Sequence, residues 1–582
     1  MSATTDIETL GWADYVVIGV MLSISSGIGI YYRFTGGRQR TIEEYFSADR
    51  SMSVAPLALA LTVSFLSAVT LLGLSAETYT NGSQFVALYL GNSLATPVSL
   101  YLYLPVFFKL QKISAYEFLE KRFGITARLV ASIANSLQLL LATGVVLYAP
   151  ALALEATTGL SGDLSVLVIG IVCIFYSTIG GMKAVVVTDV FQGILMMVAV
   201  VMIIIFAAIN VDGGIAGIWQ LAIDGGRIEF DNFSPDPTMR HTWWSLTIGG
   251  FCTFLTLFAV NQVQVQRLLT SKTLRSAQLA MWSTWPFLIF LGLSTCFSGI
   301  AMYAYYKDCD PLTAGKISSS DMLMPYFVMQ TMGGIPGLAG LFIAGIFSAG
   351  LSTVSAILNS LAAVALEDYI KPAYVKLGSE FPEERSTLVG KILALIIGVL
   401  SLFVAFLAKF LGSIIQVSLS ITGAIGGPLL GIFTLGMFFE SANEKGAVIG
   451  TLTSLAFVCW TAFGQPRPSN VPLPVSTTGC NATLTTNSSG VRHVVLGDSS
   501  NFYLYRISYM WYAPLGFVLS VVVGLAVSNL LSFVTKETPP ELDPDLFTPL
   551  IANRVRRRRL DASKTTNSQI LTLEERRRSY IR

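Results

Sequence analysis

Residues 348–359, S-A-G-L-S-T-V-S-A-I-L-N, place polar side chains inside the long apolar segment 336–366, and the rest of the chain is arranged around them. On a helix, Ser348, Ser352, Ser355 and Asn359 follow one another at spacings of four, three and four, and so share one face. This stripe carries no charge. Small polar residues of this kind are common at the contacts between membrane helices. Their oxygens are equally suited to binding a hard cation such as sodium, and the stripe alone leaves both interpretations open.

The composition establishes the class of protein. Hydrophobic residues make up 53% of the chain and charged residues 12%, with a mean hydropathy of +0.64, whereas a soluble domain carries about 25% charged residues. The chain is therefore predicted to be an all-α, polytopic membrane protein. A net charge of +2 gives no sign of a nucleic-acid partner. The two histidines, His241 and His493, lie in polar connections, and no nucleophile elbow or phosphate-binding glycine loop is present, so an enzyme is not expected.

Apolar stretches of about 20 residues, the length that crosses a bilayer, recur along the chain. Thirteen spans are predicted, at about 12–31, 54–76, 84–109, 127–153, 163–180, 186–209, 243–262, 278–305, 334–366, 388–408, 414–439, 446–464 and 511–533. In the second span, Ser64, Ser67 and Thr70 form another neutral hydroxyl face. No proline or glycine lies between Leu57 and Leu72, so nothing local predicts a break in that helix.

Basic residues set the orientation, because they collect on the cytoplasmic side of membrane proteins. They follow the first, third, fifth, seventh and ninth spans and reappear behind the last, at Arg33, Arg38, Arg40, Arg50, Lys109, Lys112, Lys121, Arg122, Arg128, Lys183, Arg267, Lys272, Arg275, Lys371, Lys376, Arg385, Lys391, Arg554 and Arg556 to Arg559. Residues 1–10 are therefore predicted to be extracellular, and 11–533 to form the transmembrane domain. The tail, 534–582, is predicted to be cytoplasmic and disordered, with its basic run against anionic lipid headgroups of the membrane.

The loop 465–510 falls on the predicted outer side. It contains two glycosylation sequons, at Asn481 and Asn487. Cys309 and Cys480 each lie in an outer loop. A disulfide between them suits an oxidising compartment, but two free thiols are equally compatible with the spacing, because spacing does not establish proximity.

Five runs in order resemble the solute:sodium symporter family, to which the sodium/glucose cotransporters belong. The signature is G-G-M-K-A-V-V-V-T-D-V-F-Q at 180–192. Four more runs are similar to the branch of sodium-coupled monocarboxylate, sodium-dependent multivitamin and sodium/iodide transporters. They are S-F-L-S-A-V-T-L-L-G from Ser64, V-L-Y-A-P-A-L-A-L from Val146, V-N-Q-V-Q-V-Q-R from Val260, and L-S-T from Leu351 leading into L-E-D-Y-I-K-P.

The resemblance implies a ten-helix core, about 54–439, in two inverted halves of five, like that of amino-acid symporters. It implies sodium as the co-transported ion and the only metal, held between the second and ninth spans. Its implied ligands are the backbone carbonyls of Val63, Leu66 and Ala349 and the hydroxyls of Ser352 and Thr353. The implied cycle is alternating access in the plasma membrane.

The branch also implies a substrate site beside the sodium. The candidate residues are Phe65, Ser67, Thr70, Asn92, Phe254, Phe258 and Leu419. Their apolar character with a few hydroxyls suits a small organic anion, either a short-chain monocarboxylate such as lactate or a vitamin anion such as biotin or pantothenate. Iodide transport, or a sodium-linked sensor or channel, is the alternative. Where the branch commonly has a tyrosine before Thr143 and Gly144, this chain has Ala142, which enlarges the cavity and removes a donor.

Asp189, within the family signature, allows a functional and a structural interpretation. Its carboxylate is either a cation relay toward the cytoplasm, the role we favour, or a structural group, as one half of an interfacial pair with Lys183 or as part of a solvated helix end.

Overall fold

A computed structural model describes residues 9–34, 42–410, 412–466, 471–480, 502–535 and 542–559. These residues form helices and no β-strand, apart from one isolated bridge between Met52 and Ser271. The helices at membrane depth are α1 Trp12–Phe34, α2 Val54–Phe65, α3 Ala68–Asn81, α4 Leu88–Val98, α5 Leu104–Leu110, α6 Ile125–Thr158, α7 Gly162–Asn210, α8 Trp243–Leu255, α9 Gln262–Leu268, α10 Leu274–Tyr305, α11 Leu338–Val364, α12 Ser386–Ala408, α13 Ile414–Phe438, α14 Glu444–Phe463 and α15 Tyr512–Thr535. Shorter helices at their ends are Ile42–Ser47, Glu117–Arg122, Gly214–Asp224, Leu323–Met332 and Lys371–Lys376.

The expectation of an all-helical membrane protein is confirmed, but the count of thirteen spans is not. By length and composition, eleven helices of the described chain are able to cross a membrane, or twelve when α2 and α3 together count as one bent span. The difference is the fifth predicted span, 163–180. It lies in α7, where the described apolar part, Gly162–Phe175, is shorter than a span.

Helix α11, which carries the polar stripe, lies at the centre of the bundle. All of its 27 residues except Leu338 and Leu341 are buried. Its small residues let neighbours approach closely: a Cβ on Gly345 would lie 2.7 Å from the Cβ of Ala199 in α7. Because Ala, Gly and Ser permit this backbone approach, the segment packs against α7, α6 and α2 at once.

Two spans are interrupted, and they occupy matching places. The second span breaks between α2 and α3, and the seventh breaks at Asn261, whose extended backbone (ψ 132°) separates the end of the α8 span from α9. The breaks fall in the second and seventh predicted spans, which are the first spans of the two halves of the expected core. Paired interruptions of this kind mark the binding region of inverted-repeat transporters.

The structure describes part of the predicted tail and part of the loops that carry the sequons and the two cysteines. The prediction of a disordered tail at 534–582 is wrong for residues 542–559, which pack on the protein and are helical at 549–559, because burial of apolar side chains there offsets the cost of ordering. The remaining tail, 536–541 and 560–582, lies outside the described residues, as do Asn481 and Asn487. Cys309 and Cys480 form a disulfide with Cα atoms 5.0 Å apart.

Candidate functional site

The break in the second span exposes backbone polar groups. Leu66 adopts φ −92° and ψ 84°, Ser67 adopts φ −83° and ψ 176°, and the helix axes differ by 53°. Within the described residues, nothing donates a hydrogen bond to the carbonyl oxygens of Val63 and Leu66. The electronegative end of α2 and the electropositive start of α3 therefore meet at one place. Such a break offers carbonyls to a cation and N–H groups to an anion side by side.

The polar stripe of α11 is buried, as expected for a face that points into the bundle. Ser348, Ser352, Ser355 and Asn359 have no exposed surface. The Ser352 hydroxyl donates to Asp189 Oδ1 on α7, and the Ser355 hydroxyl donates to the Ser352 carbonyl at 3.0 Å. The Asn359 amide donates to the Ser355 carbonyl at 2.9 Å. Through Ser352, the stripe therefore contacts a carboxylate on α7.

Thr353 connects this helix to the broken span. Its hydroxyl donates to the Ala349 carbonyl at 3.1 Å. Its side chain also lines a central cavity together with Ser64 and Ser67 from the break. The five residues predicted to bind sodium, Val63, Leu66, Ala349, Ser352 and Thr353, are all buried on or at the end of two helices that pack together, α2 and α11.

Asp189 is paired with a residue that neither sequence interpretation included. Arg267 Nη1 donates to Asp189 Oδ2 at 2.7 Å and to the Ala60 carbonyl at 2.8 Å, and both charged side chains are fully buried. The side chain of Lys183 lies outside the described ones. Burying two charges is costly unless they compensate one another, so Arg267 fixes a negative carboxylate directly behind Ser352.

The central cavity has a volume of about 170 Å³ and lies between α3, α4, α6, α8, α11 and α13. Six of the seven predicted substrate residues line it: Phe65, Ser67, Thr70, Asn92, Phe254 and Leu419. The seventh, Phe258, stacks on Phe254 with ring centroids 4.4 Å apart and so supports the wall from behind. Ala142 also lines the cavity, so the position where the branch commonly has a tyrosine lies at the cavity wall.

Sequence reasoning missed most of the polar lining. The additional residues are Gln138, Thr253, Asn261, Gln264, Ser418 and Thr422. Asn261 and Gln264 stand in the quoted run V-N-Q-V-Q-V-Q-R, and the alternation of amides with valines in that run was the available signal. Gln138 offered no signal. No charged side chain lines the cavity among the described residues, so any ionic ligand there meets neutral dipoles and backbone groups.

A polar cluster lies next to cavity residues at the end of the cavity on the predicted outer side. Glu77 on α3 binds Arg240 through both carboxylate oxygens, at 2.6 and 2.8 Å. Arg240 also donates to Gln416 on α13 at 2.8 Å. Just beneath, Gly73 lies so close to Ile415 that a Cβ would come within 2.9 Å of the Ile415 Cβ. The cluster thus ties α3 to α13 directly above residues that line the cavity.

His241 completes the cluster outside the membrane spans. Its Nε2 lies 2.8 Å from the Tyr509 hydroxyl, and its ring meets Phe85, a cavity residue, edge to face at 5.3 Å. Burial lowers the pKa of His241 to about 4, with Glu77 opposing and Arg240 reinforcing the shift. His241 is therefore neutral at physiological pH. No group of histidines, cysteines and carboxylates that could hold a metal occurs in the described part of the chain.

Two interrupted helices around a central cavity are typical of one class of protein, the secondary transporters. Residues 45–454 match the family model described as the sodium:solute symporter family. A solved structure of a sodium-coupled sialic acid symporter, substrate-bound and outward-open, superimposes with a TM-score of 0.74 over 89% of this chain and 98% of that one, at 24% identity.

Relatives in sequence agree. A Drosophila melanogaster protein named "Putative sodium-dependent multivitamin transporter" is 50% identical over 571 residues, covering 95% of this chain and 94% of the relative. Sodium-coupled monocarboxylate transporter 1 of Mus musculus is 40% identical over 561 residues, covering 94% and 90%. The human transporter of the same name is 40% identical over 545 residues, covering 91% and 88%. The chain belongs to the sodium:solute symporter family, and sodium is its co-transported ion.

Proposed function

We propose that this symporter imports a small organic anion together with sodium, either a short-chain monocarboxylate such as lactate or a vitamin-type anion such as biotin or pantothenate. The observation that carries the proposal is the break at Leu66 and Ser67. It places free carbonyl oxygens on one side and free N–H groups on the other, at the wall of an uncharged cavity. One carboxylate and one sodium ion satisfy both sets.

Sodium is proposed to bind the carbonyls of Val63, Leu66 and Ala349 and the hydroxyls of Ser352 and Thr353. These are neutral oxygens, the ligand type that a hard monovalent cation accepts. Asp189 lies behind Ser352 and is paired with Arg267, so the ligands of the proposed site are neutral oxygens. Asp189 is proposed to serve as a relay that draws sodium from this site toward the cytoplasm.

The anion is proposed to lie with its carboxylate at the start of α3. Within the described residues, the N–H groups of Ser67 and Ala68 have no acceptor. The hydroxyl of Thr70 and the amide of Asn92 line the same space, and each can donate to an anion. The rings of Phe65 and Phe254, with Leu419, enclose the aliphatic part. Each ligand orders the break that the other needs, so their binding is mutually reinforcing.

Orientation follows from charge. Basic residues at the ends of alternate spans favour an extracellular amino terminus and a cytoplasmic carboxyl terminus in the plasma membrane. The disulfide between Cys309 and Cys480 joins two loops of the predicted outer side, and this pairing suits an oxidising exterior.

Uptake of radiolabelled lactate, biotin, pantothenate and iodide into cells that express the chain tests the proposal, with sodium replaced by choline as the control. Accumulation of an organic anion only in sodium supports it and identifies the substrate. Accumulation of iodide alone contradicts the organic-anion assignment. Sodium-dependent current without accumulation of any solute would indicate a channel or sensor on this fold.

A further inference from the structure

The tail segment 542–559 docks on the end of the bundle to which α5 and α13 point their carboxyl termini. Leu546, Phe547, Ala552 and Val555 are buried against it. The backbone N–H of Thr548 donates to the Met437 carbonyl at the end of α13, at 3.1 Å. The segment is thus a packed element that lies where these spans leave the membrane.

Ion pairs reinforce the docking. Arg558 Nη1 lies 2.5 Å from Glu440 Oε2, just beyond α13. Asp545 accepts from Arg556 at 2.7 Å and from Lys109 at the end of α5 at 3.2 Å. The segment therefore connects the ends of α5 and α13. These two helices belong to different parts of the core, one before and one after the break at Asn261.

Positive charge in the helix 549–559 exceeds what these carboxylates neutralise. Five arginines, Arg554 and Arg556 to Arg559, stand against two carboxylates. Arg558 contacts Glu440 and Arg556 contacts Asp545, whereas Arg554 approaches Glu440 only to 3.8 Å. On a helix, Ala552 and Val555 face the protein, which leaves Leu550, Arg554 and Arg557 on the opposite face. Leu550 is 69% exposed and the Arg554 side chain 63% exposed.

An exposed leucine between arginines, at the level where spans end, is the pattern of a helix that lies in the membrane interface. We propose that helix 549–559 binds phosphate-bearing headgroups of anionic phospholipids through Arg554 and Arg557. Arg556 and Arg558 meanwhile hold the helix to Asp545 and Glu440. Lipid binding then stabilises the docked tail and the connection it makes between α5 and α13. The inference does not depend on which solute is transported.

The test measures lipid binding to the purified full-length protein in neutral detergent, by anisotropy of a fluorescent short-chain phosphatidylinositol 4,5-bisphosphate. The double variant Arg554→Gln, Arg557→Gln should weaken binding roughly tenfold or more, because each basic residue near a charged lipid surface contributes appreciably. The control, Arg576→Gln with Arg577→Gln, removes the same charge from residues 560–582 and should leave the dissociation constant within about twofold of the wild type.

Equal binding by the Arg554 and Arg557 variant and the wild type would overturn the inference, and so would equal weakening in the control. Unlabelled inositol trisphosphate separates the two sources of phosphate. It should compete much more weakly than unlabelled lipid, because it lacks the acyl chains that lie beside Leu550. Competition as strong as that of the lipid would show a site for a soluble phosphate instead. Since no sodium or transported solute enters the assay, failure of the proposed transport leaves its result unaffected.

Discussion

Arg267 and Asp189 form an ion pair 2.7 Å long that is wholly buried between α9 and α7. The same carboxylate accepts the hydroxyl of Ser352. A single side chain on the second broken span thereby sets the electrostatic environment of a predicted sodium ligand on α11. The ion pair thus joins the two halves of the expected core directly.

Replacing Arg267 by alanine should destabilise the protein by about 3 to 5 kcal/mol, because it leaves Asp189 charged, buried and unpaired. Surface expression and thermal stability in detergent measure the loss. The double variant Arg267→Ala, Asp189→Asn removes the orphaned charge and should recover a large part of it. If Arg267→Ala were as stable as the double variant, Arg267 would not be offsetting the cost of burying the Asp189 charge.

Thr353→Ala should reduce sodium-dependent uptake by roughly tenfold or more, since losing a direct ligand costs at least as much as losing an outer-shell partner. The matched control is Thr295→Ala, which removes another buried hydroxyl, bonded only within its helix to the Leu291 carbonyl at 2.7 Å. Both variants should reach the surface. Unchanged sodium affinity in Thr353→Ala would refute the assignment of this ligand.

Ala142→Tyr should select for smaller substrates. The new phenol would project into a cavity of about 170 Å³ and occupy space that a vitamin anion needs, whereas lactate still fits. The expected result is a larger increase in KM for biotin than for lactate, measured side by side in the same cells. Ala142→Phe separates the effect of volume from that of the hydroxyl. Parallel changes for both substrates would place Ala142 outside the substrate contact.

Glu77→Gln should weaken the contact between α3 and α13 above the cavity, because both carboxylate oxygens of Glu77 accept hydrogen bonds from Arg240. Ser418→Cys places a reporter thiol in the cavity. A charged thiol reagent added from outside should react severalfold faster with this thiol in the protein that also carries Glu77→Gln than in the protein that keeps Glu77. Glu229→Gln, a substitution in the outer loop away from this ion pair, is the control. Identical reaction rates would mean that the pair does not limit access.

Acid should destabilise the outer cluster through His241. Burial lowers its pKa from 6.5 to about 4, so neutral His241 contributes its full stability above pH 6.5, and this is lost as the pH falls toward 4. At pH 4.5 the loss should be about 2 kcal/mol. Melting curves at pH 7.5 and 4.5 should therefore differ more for the wild type than for His241→Gln. Equal acid sensitivity in the two proteins would show that His241 is not the titrating group.

Family resemblance, carried by short runs of sequence, was enough to select residues that lie together. Thr353, Phe65, Thr70 and Asn92 line one cavity, and their binding roles stay predictions. The break at Leu66 was not visible, because helix-breaking residues are absent there and the neighbouring helices stabilise the freed backbone groups. Arg267 was assigned to a cytoplasmic loop because a sequence shows a charge but not the partner that allows the charge to be buried.

The sequence by itself determined that this chain is a helical membrane protein, which segments are apolar, and which family it belongs to. These properties depend on composition and on short runs of neighbouring residues, since the bilayer selects for apolar length. Only the tertiary structure decided where a helix is interrupted, that Arg267 neutralises Asp189, and that residues 542–559 dock instead of remaining disordered. Each of these outcomes depends on contacts between residues far apart in the chain, where burial and charge compensation outweigh local preference.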